Sequence, residues 1–192
     1  MIAVLFSYAR ALGAREILRF WFVEAGSKNW FGGGARFDAL IRERYGALHA
    51  RASQGDLEGW TVDAGGALAL LIVLDQFSRN LGRGSADSFA NDAAALALAD
   101  RMIARGDDLA LPEEARAFVY MPHMHSEELA VQERCVALFE SRMAGSANIP
   151  FAHEHRNIIA RFGRFPHRNK ALGRRSTPAE LTYLKNGGFQ PN

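Results

Sequence analysis

Residues 64–77, AGGALALLIVLDQF, decide the fold of this chain. Apolar side chains occupy every position from Ala67 to Leu74, so a helix built from them is hydrophobic all round. Such a helix belongs at the centre of a molecule, enclosed by other helices. The pattern predicts it from about Val62 to Leu81, with Gly82 and Gly84 ending it. The apolar run from Ala64 to Leu74 is too short for a membrane span, which takes about 18 such residues. Gly65 and Gly66 each cost about 1 kcal/mol of helix propensity, but they allow a second helix to come close.

Helical signals continue on both sides of this stretch. Upstream, Ile17, Leu18, Trp21 and Phe22 share one face of a helix over 14–25. Phe37, Leu40, Ile41, Tyr45 and Leu48 mark another, ending at Gly55-Asp56, and the glycines around Trp30-Phe31 read as a loop with an aromatic anchor. Downstream, Ser85 is placed to cap a helix striped by Phe89, Ala93, Leu96, Ala97 and Ile103, with Gly106 as its stop. Pro112 opens a helix that must break near Pro122. Ser126 is placed to cap the next one, which runs through Val131, Cys135, Leu138 and Phe139. Pro150 opens a helix with Phe151, Ile158, Ile159 and Phe162 on one face and Gly163 at its end. Thr177-Pro178-Ala179-Glu180 is a capping box with proline at the first helical position, and Gly187-Gly188 closes that helix. The expectation is one all-α domain over 1–192, with its core at about 14–188.

Composition agrees with that class. The chain has 192 residues, 48% of them hydrophobic, enough to bury a core. The formal net charge is +2, and no block of like charges calls for nucleic acid or a membrane as partner. The single cysteine, Cys135, sits among apolar residues at helical spacing and reads as a small buried hydrophobe; its solitude fits a reducing compartment. The N-terminal apolar run, Ile2–Phe6, is short and Arg10 follows rather than precedes it, unlike a signal peptide. The expected location is the cytoplasm.

Three polar clusters carry the candidate chemistry. The central helix ends in Asp75-Gln76-Phe77-Ser78-Arg79-Asn80, where Asp75 and Arg79 share a face, as do Gln76 and Asn80. Polar groups emerging from a buried helix must be paired or face a cavity. The second cluster, His123 to Glu128, lies at a helix break. There, His125, Ser126 and Glu127 offer an acid–base pair beside the free N–H groups of a helix start. The third runs from His155 to Asn169, with Arg161, Arg164, His167 and Arg168 about a turn enforced by Gly163 and Pro166. Arginine grips carboxylate or phosphate in a fork. His155 falls on the apolar face of its helix. For each cluster the competing reading is internal: the arginines pair with Asp75, Glu127 and helix C-termini, and no ligand binds. The histidine spacings match no metal motif, so no metal and no cofactor is expected.

RFWF at Arg19–Phe22, LDQFSRN at Leu74–Asn80, YMPHMHSEELAVQE at Tyr120–Glu133 and HRNIIARFGRFPHRN at His155–Asn169 together resemble the DUF924 family of uncharacterised bacterial proteins. Order and spacing agree from about Ala14 to Gly188. Ser78 departs from the pattern, standing where the family often has proline. The resemblance implies a tetratricopeptide-like superhelix and lends no reaction. It places His125, Ser126, Glu127, His155, Arg161, Arg164, His167, Arg168 and Asn169 on shared motifs. The leading expectation is a binding protein for a small anionic ligand or an acidic peptide end. A hydrolase or lyase using His125 or Glu127 as base, with Arg164 and Arg168 stabilising negative charge, is the second. A protein–protein scaffold is the third. All site readings require the segments around Asp75, Glu127 and Arg164 to meet.

Overall fold

The structure, a computed structural model, describes residues 6–189. It is all-helical, with no strand among those residues. The main elements in chain order are α1 (Leu12–Arg19), α2 (Ser27–Trp30), α3 (Gly34–Ser53), α4 (Ala64–Ile72), α5 (Ser78–Leu81), α6 (Asp92–Arg105), α7 (Asp107–Ala110), α8 (Glu113–Met124), α9 (Leu129–Arg142), α10 (Ile149–Phe162) and α11 (Pro178–Lys185). Two π-helical stretches interrupt the α pattern, Phe20–Ala25 after α1 and Val73–Phe77 between α4 and α5. No helix among the described residues is long and apolar enough to cross a membrane.

The central helix lies where its composition requires. Every residue from Gly65 to Phe77 is buried. Asp63 caps its start, its carboxylate accepting the Gly66 N–H at 2.7 Å. The helix and its π continuation pack on α1, α3, α6 and α8. Aromatic rings fill the space between: Phe20, Trp21 and Tyr45 meet Phe77, and Trp21 meets Phe118 edge-on at 5.8 Å. What approaches Gly65 and Gly66 most closely is the backbone of two 3-10 turns, Phe6–Tyr8 and Glu58–Val62. A Cβ on Gly65 would stand 2.4 Å from the Tyr8 carbonyl carbon, and one on Gly66 2.1 Å from the Trp60 carbonyl oxygen. The nearest neighbours there are these turns rather than a second α-helix.

Local signals elsewhere resolve as follows. Gly106 and Gly163 stop α6 and α10 at φ 75° and 70°, the left-handed region that favours glycine. Thr177 and Glu180 form the reciprocal capping box of α11. Cys135 is fully buried, and burial pushes its thiol up to about 12. Residues 27–30, expected in a loop, form the short α2. Ser85 caps a 3-10 turn, Ala86–Phe89, rather than α6 itself. Pro122 lies inside α8, which runs on to Met124; the ring removes one N–H, and the turn still closes through the His125 N–H to the Met121 carbonyl at 2.9 Å. Ser126 does not cap α9; it accepts the Glu128 N–H at 3.2 Å, and the helix begins only at Leu129. Phe151 points outward, 51% exposed, so the apolar face of α10 rests on Ile158 and Ile159.

Candidate functional site

The π stretch Val73–Phe77 carries Asp75 and Gln76 into the interior, and π turns favour functional positions. The Asp75 side chain is only 2% exposed. A bare carboxylate there would be costly, and three groups support it. His125 Nδ1 lies 2.8 Å from Oδ1, Gln76 Nε2 donates to Oδ2 at 2.6 Å, and Arg79 Nη1 lies 3.3 Å from Oδ1. Burial opposes ionisation, but Arg79 and His125 outweigh it and hold the carboxyl well below the usual range. Burial, followed by Arg79, lowers the His125 imidazole below its ordinary value against the pull of Asp75. At neutral pH this is a neutral histidine beside a carboxylate. The carboxylate can only accept, so Nδ1 carries the proton and Nε2 keeps its lone pair.

A second pair of charges extends the cluster. Arg79 Nη1 donates to Asp92 Oδ1 at 3.0 Å, and Arg168 Nη1 donates to Asp92 Oδ2 at 3.3 Å. The Arg168 guanidinium lies 4.5 Å from the ring centroids of both Phe89 and Phe165. Burial and then Arg79 lower Arg168 to about 10, so it stays charged at neutral pH. Asp75 and Asp92 thus alternate with Arg79 and Arg168. Not every donor is used. Arg79 Nη2, Arg168 Nε and His167 Nδ1 are buried without a hydrogen-bond partner. Burial and then Arg168 lower His167 to about 4. His155 donates from Nδ1 to the Phe151 carbonyl at 2.7 Å, and burial lowers it to about 3. Its ring centroid lies 6.5 Å from that of His125.

Beside the dyad lies a cavity of about 50 Å³, room for a few water-sized atoms. Gln76, Arg79, Asn80 and His125 line it, all four expected from the sequence. Trp30, Phe31 and Arg83 complete the wall. Arg83 and Asn80 are tied to Asp38 on α3, through two guanidinium bonds of 2.6 and 3.0 Å and an amide bond of 2.8 Å.

The remaining sequence candidates meet one another but not this cavity. Glu127 accepts the Phe165 N–H at 2.8 Å and a forked bond from Arg174. Burial opposes ionisation, yet Arg174 and the Phe165 N–H hold the carboxyl below its ordinary value; it is an engaged anion, not an available base. Arg164 grips Glu180 with Nε and Nη2 at 2.6 and 2.9 Å, so it offers no open fork to a ligand. Arg161 lies over the Phe162 and Tyr183 rings. Asn169 bonds Ser176, Glu180 and Arg174, fastening the C-terminal segment. His123 bonds Asp100 and His153 bonds Glu140, well apart in use from the dyad. The three clusters therefore do touch: α8 joins the π stretch through His125, and the turn after α10 joins Glu127 through Phe165. From that turn, Arg168 brings an unused donor, its Nε, to the buried cluster.

Asp92, Phe89 and Arg174 were not legible as site residues. Asp92 reads as an ordinary acidic residue in a first helical turn, and no spacing ties it to Arg79 or Arg168.

Comparison with known proteins adds a family. The model of a family described as bacterial protein of unknown function (DUF924) matches residues 17–188. The structure of a protein of unknown function, ATU0120, from Agrobacterium tumefaciens is similar at 42% identity and a TM-score of 0.85, over 91% of this chain and 97% of that one. No curated protein matches.

Proposed function

We propose that this chain, which belongs to the DUF924 family of bacterial proteins of unknown function, binds a small anionic group in the cavity beside Asp75 and His125. The observation that carries the reading is Arg79, which helps to line the cavity and whose guanidinium has a buried Nη2 without a hydrogen-bond partner. A buried guanidinium donor without an acceptor costs free energy, and an anion's oxygen would remove that cost. The four surrounding charges cancel, so no anion is excluded by a net negative field. Neutral His125 adds a second device: a bound anion favours its protonated form. Binding then takes up a proton, and affinity rises as pH falls. Isothermal titration with phosphate and acetate at pH 8 and pH 6 tests this. Binding at both, tighter at pH 6 and lost in Arg79→Lys, is expected. Equal binding by the variant, or tighter binding at pH 8, removes the reading.

The Asp75–His125 pair also favours acid–base catalysis on the bound anion, as a hydrolase or lyase. The carboxylate fixes the ring and its tautomer, leaving Nε2 as base. His125→Gln would then abolish turnover of a carboxylate or phosphate ester in a substrate panel, while the product still binds but no longer more tightly at pH 6 than at pH 8. Turnover unchanged in that variant sinks the catalytic reading and leaves the binding one.

A further inference from the structure

Trp30 and Phe31 have a second face. On one side they wall the polar cavity; on the other they line a groove of about 320 Å³. The groove floor is Ala117, Phe118 and Met121 of α8, with Met143 and Ala147 from the end of α9 and the turn after it. The two linings also touch behind that wall: Gln76 Nε2, of the cavity, lies 3.6 Å from Met121 Sδ, of the groove. Unbranched thioethers adapt to irregular apolar occupants. Charge runs along this path in one direction. Arg79 and Arg83 stand at the cavity end, while Glu113 and Glu114, both exposed, stand at the groove end.

From this juxtaposition we infer that the ligand is a carboxylate with an unbranched apolar tail, its head against Arg79 and His125 and its tail across Trp30 and Phe31 into the groove. The inference rests on the anion reading above and adds the substrate class. The cavity of about 50 Å³ suits a planar carboxylate better than a bulkier phosphate. Glu113 and Glu114 repel a head group at the far end, so one orientation is favoured. The tail gains affinity only by leaving water for the groove.

Titration of the whole chain with acetate, butanoate, hexanoate and octanoate tests this directly. The expected result is a dissociation constant that falls roughly fourfold per added methylene until the groove is filled. Ala147→Trp fills the groove from an exposed turn and leaves the core alone. It should abolish the gain with chain length while acetate binds as before. Octylammonium should not compete. If octanoate binds no tighter than acetate, the tail assignment fails and the anion site stands. If the chain-length gain survives Ala147→Trp, the tail lies elsewhere and the inference fails. If octylammonium binds as well as octanoate, or if no carboxylate binds at all, the anion reading falls together with it.

Discussion

Asp75 shows what a single residue can organise. It is buried as completely as the leucines beside it, yet it holds a histidine, an amide and a guanidinium at once. Burying a charge is tolerated only when its partners are in place, and removing one partner leaves the others exposed to the same penalty. Asp75→Asn strips Arg79 of one of its two carboxylates. A loss of about 3–5 kcal/mol is expected, measured by urea denaturation at pH 7. The same variant gives a test with a sign that packing alone would not produce. Asp75 is the group that holds the His125 imidazole up against burial and Arg79. Without it, His125 should titrate lower still, which NMR of the ring protons would read. A histidine that becomes more basic in Asp75→Asn contradicts the dyad. Arg168 makes the companion case. Its guanidinium stacks on two aromatic rings as well as pairing with Asp92. Lysine keeps the charge but loses the plane that lies against both rings, so Arg168→Lys should cost about 1 kcal/mol, part of the worth of a desolvated cation–π contact.

Among the elements, legibility follows the range of the interaction that shapes each one. The capping box of α11 and the left-handed glycines after α6 and α10 are local chemistry, and they form where the sequence puts them. The buried α4 is legible because burial on all sides needs no knowledge of which neighbours cover it. The site is legible only in part. Asp75, Gln76, Arg79, Asn80 and His125 announce themselves as polar groups next to apolar runs. Asp92 and Arg174 do not, because their role depends on partners 76 and 47 residues away in the chain. Glu127 and Arg164 looked available for the same reason: their partners, Arg174 and Glu180, lie beyond any local pattern. Gly66 illustrates the difference as a measurement. Helix propensity alone predicts that Gly66→Ala stabilises α4 by about 1 kcal/mol. The Trp60 carbonyl, 2.1 Å from where the new Cβ would stand, predicts the reverse, a loss of about 1–3 kcal/mol by thermal denaturation. Thr177→Ala, where only the local cap is removed, should cost about 1 kcal/mol.

Burial holds five of the six histidines below their ordinary value, and this fixes how the molecule meets acid. Burial is the largest cause lowering His49, His123, His125, His155 and His167 below 6.5, His155 to about 3 and His167 to about 4. An unfolded chain takes up these protons near pH 6.5, while the native one refuses them until its own lower values are reached. The stability they contribute is therefore complete above 6.5 and is lost as pH falls towards 3 to 4. The carboxylates act later with the same sign. Asp38, Asp75, Glu127 and Glu180 are held below their ordinary values, so their contribution is present above about 4.5 and is lost as pH falls through the native values. The two windows order the events. Urea midpoints measured from pH 8 to pH 4 should begin to fall between 6.5 and 5, before any carboxylate titrates. Each buried histidine contributes up to about 1.4 kcal/mol per pH unit to that slope. His155→Gln removes one such group and should flatten the profile from pH 6.5 down to about 3, the upper window included. A flat profile down to pH 4.5 in the wild type would mean that these imidazoles reach solvent in the native state, and the closed, neutral His125 on which the anion site depends would go with them.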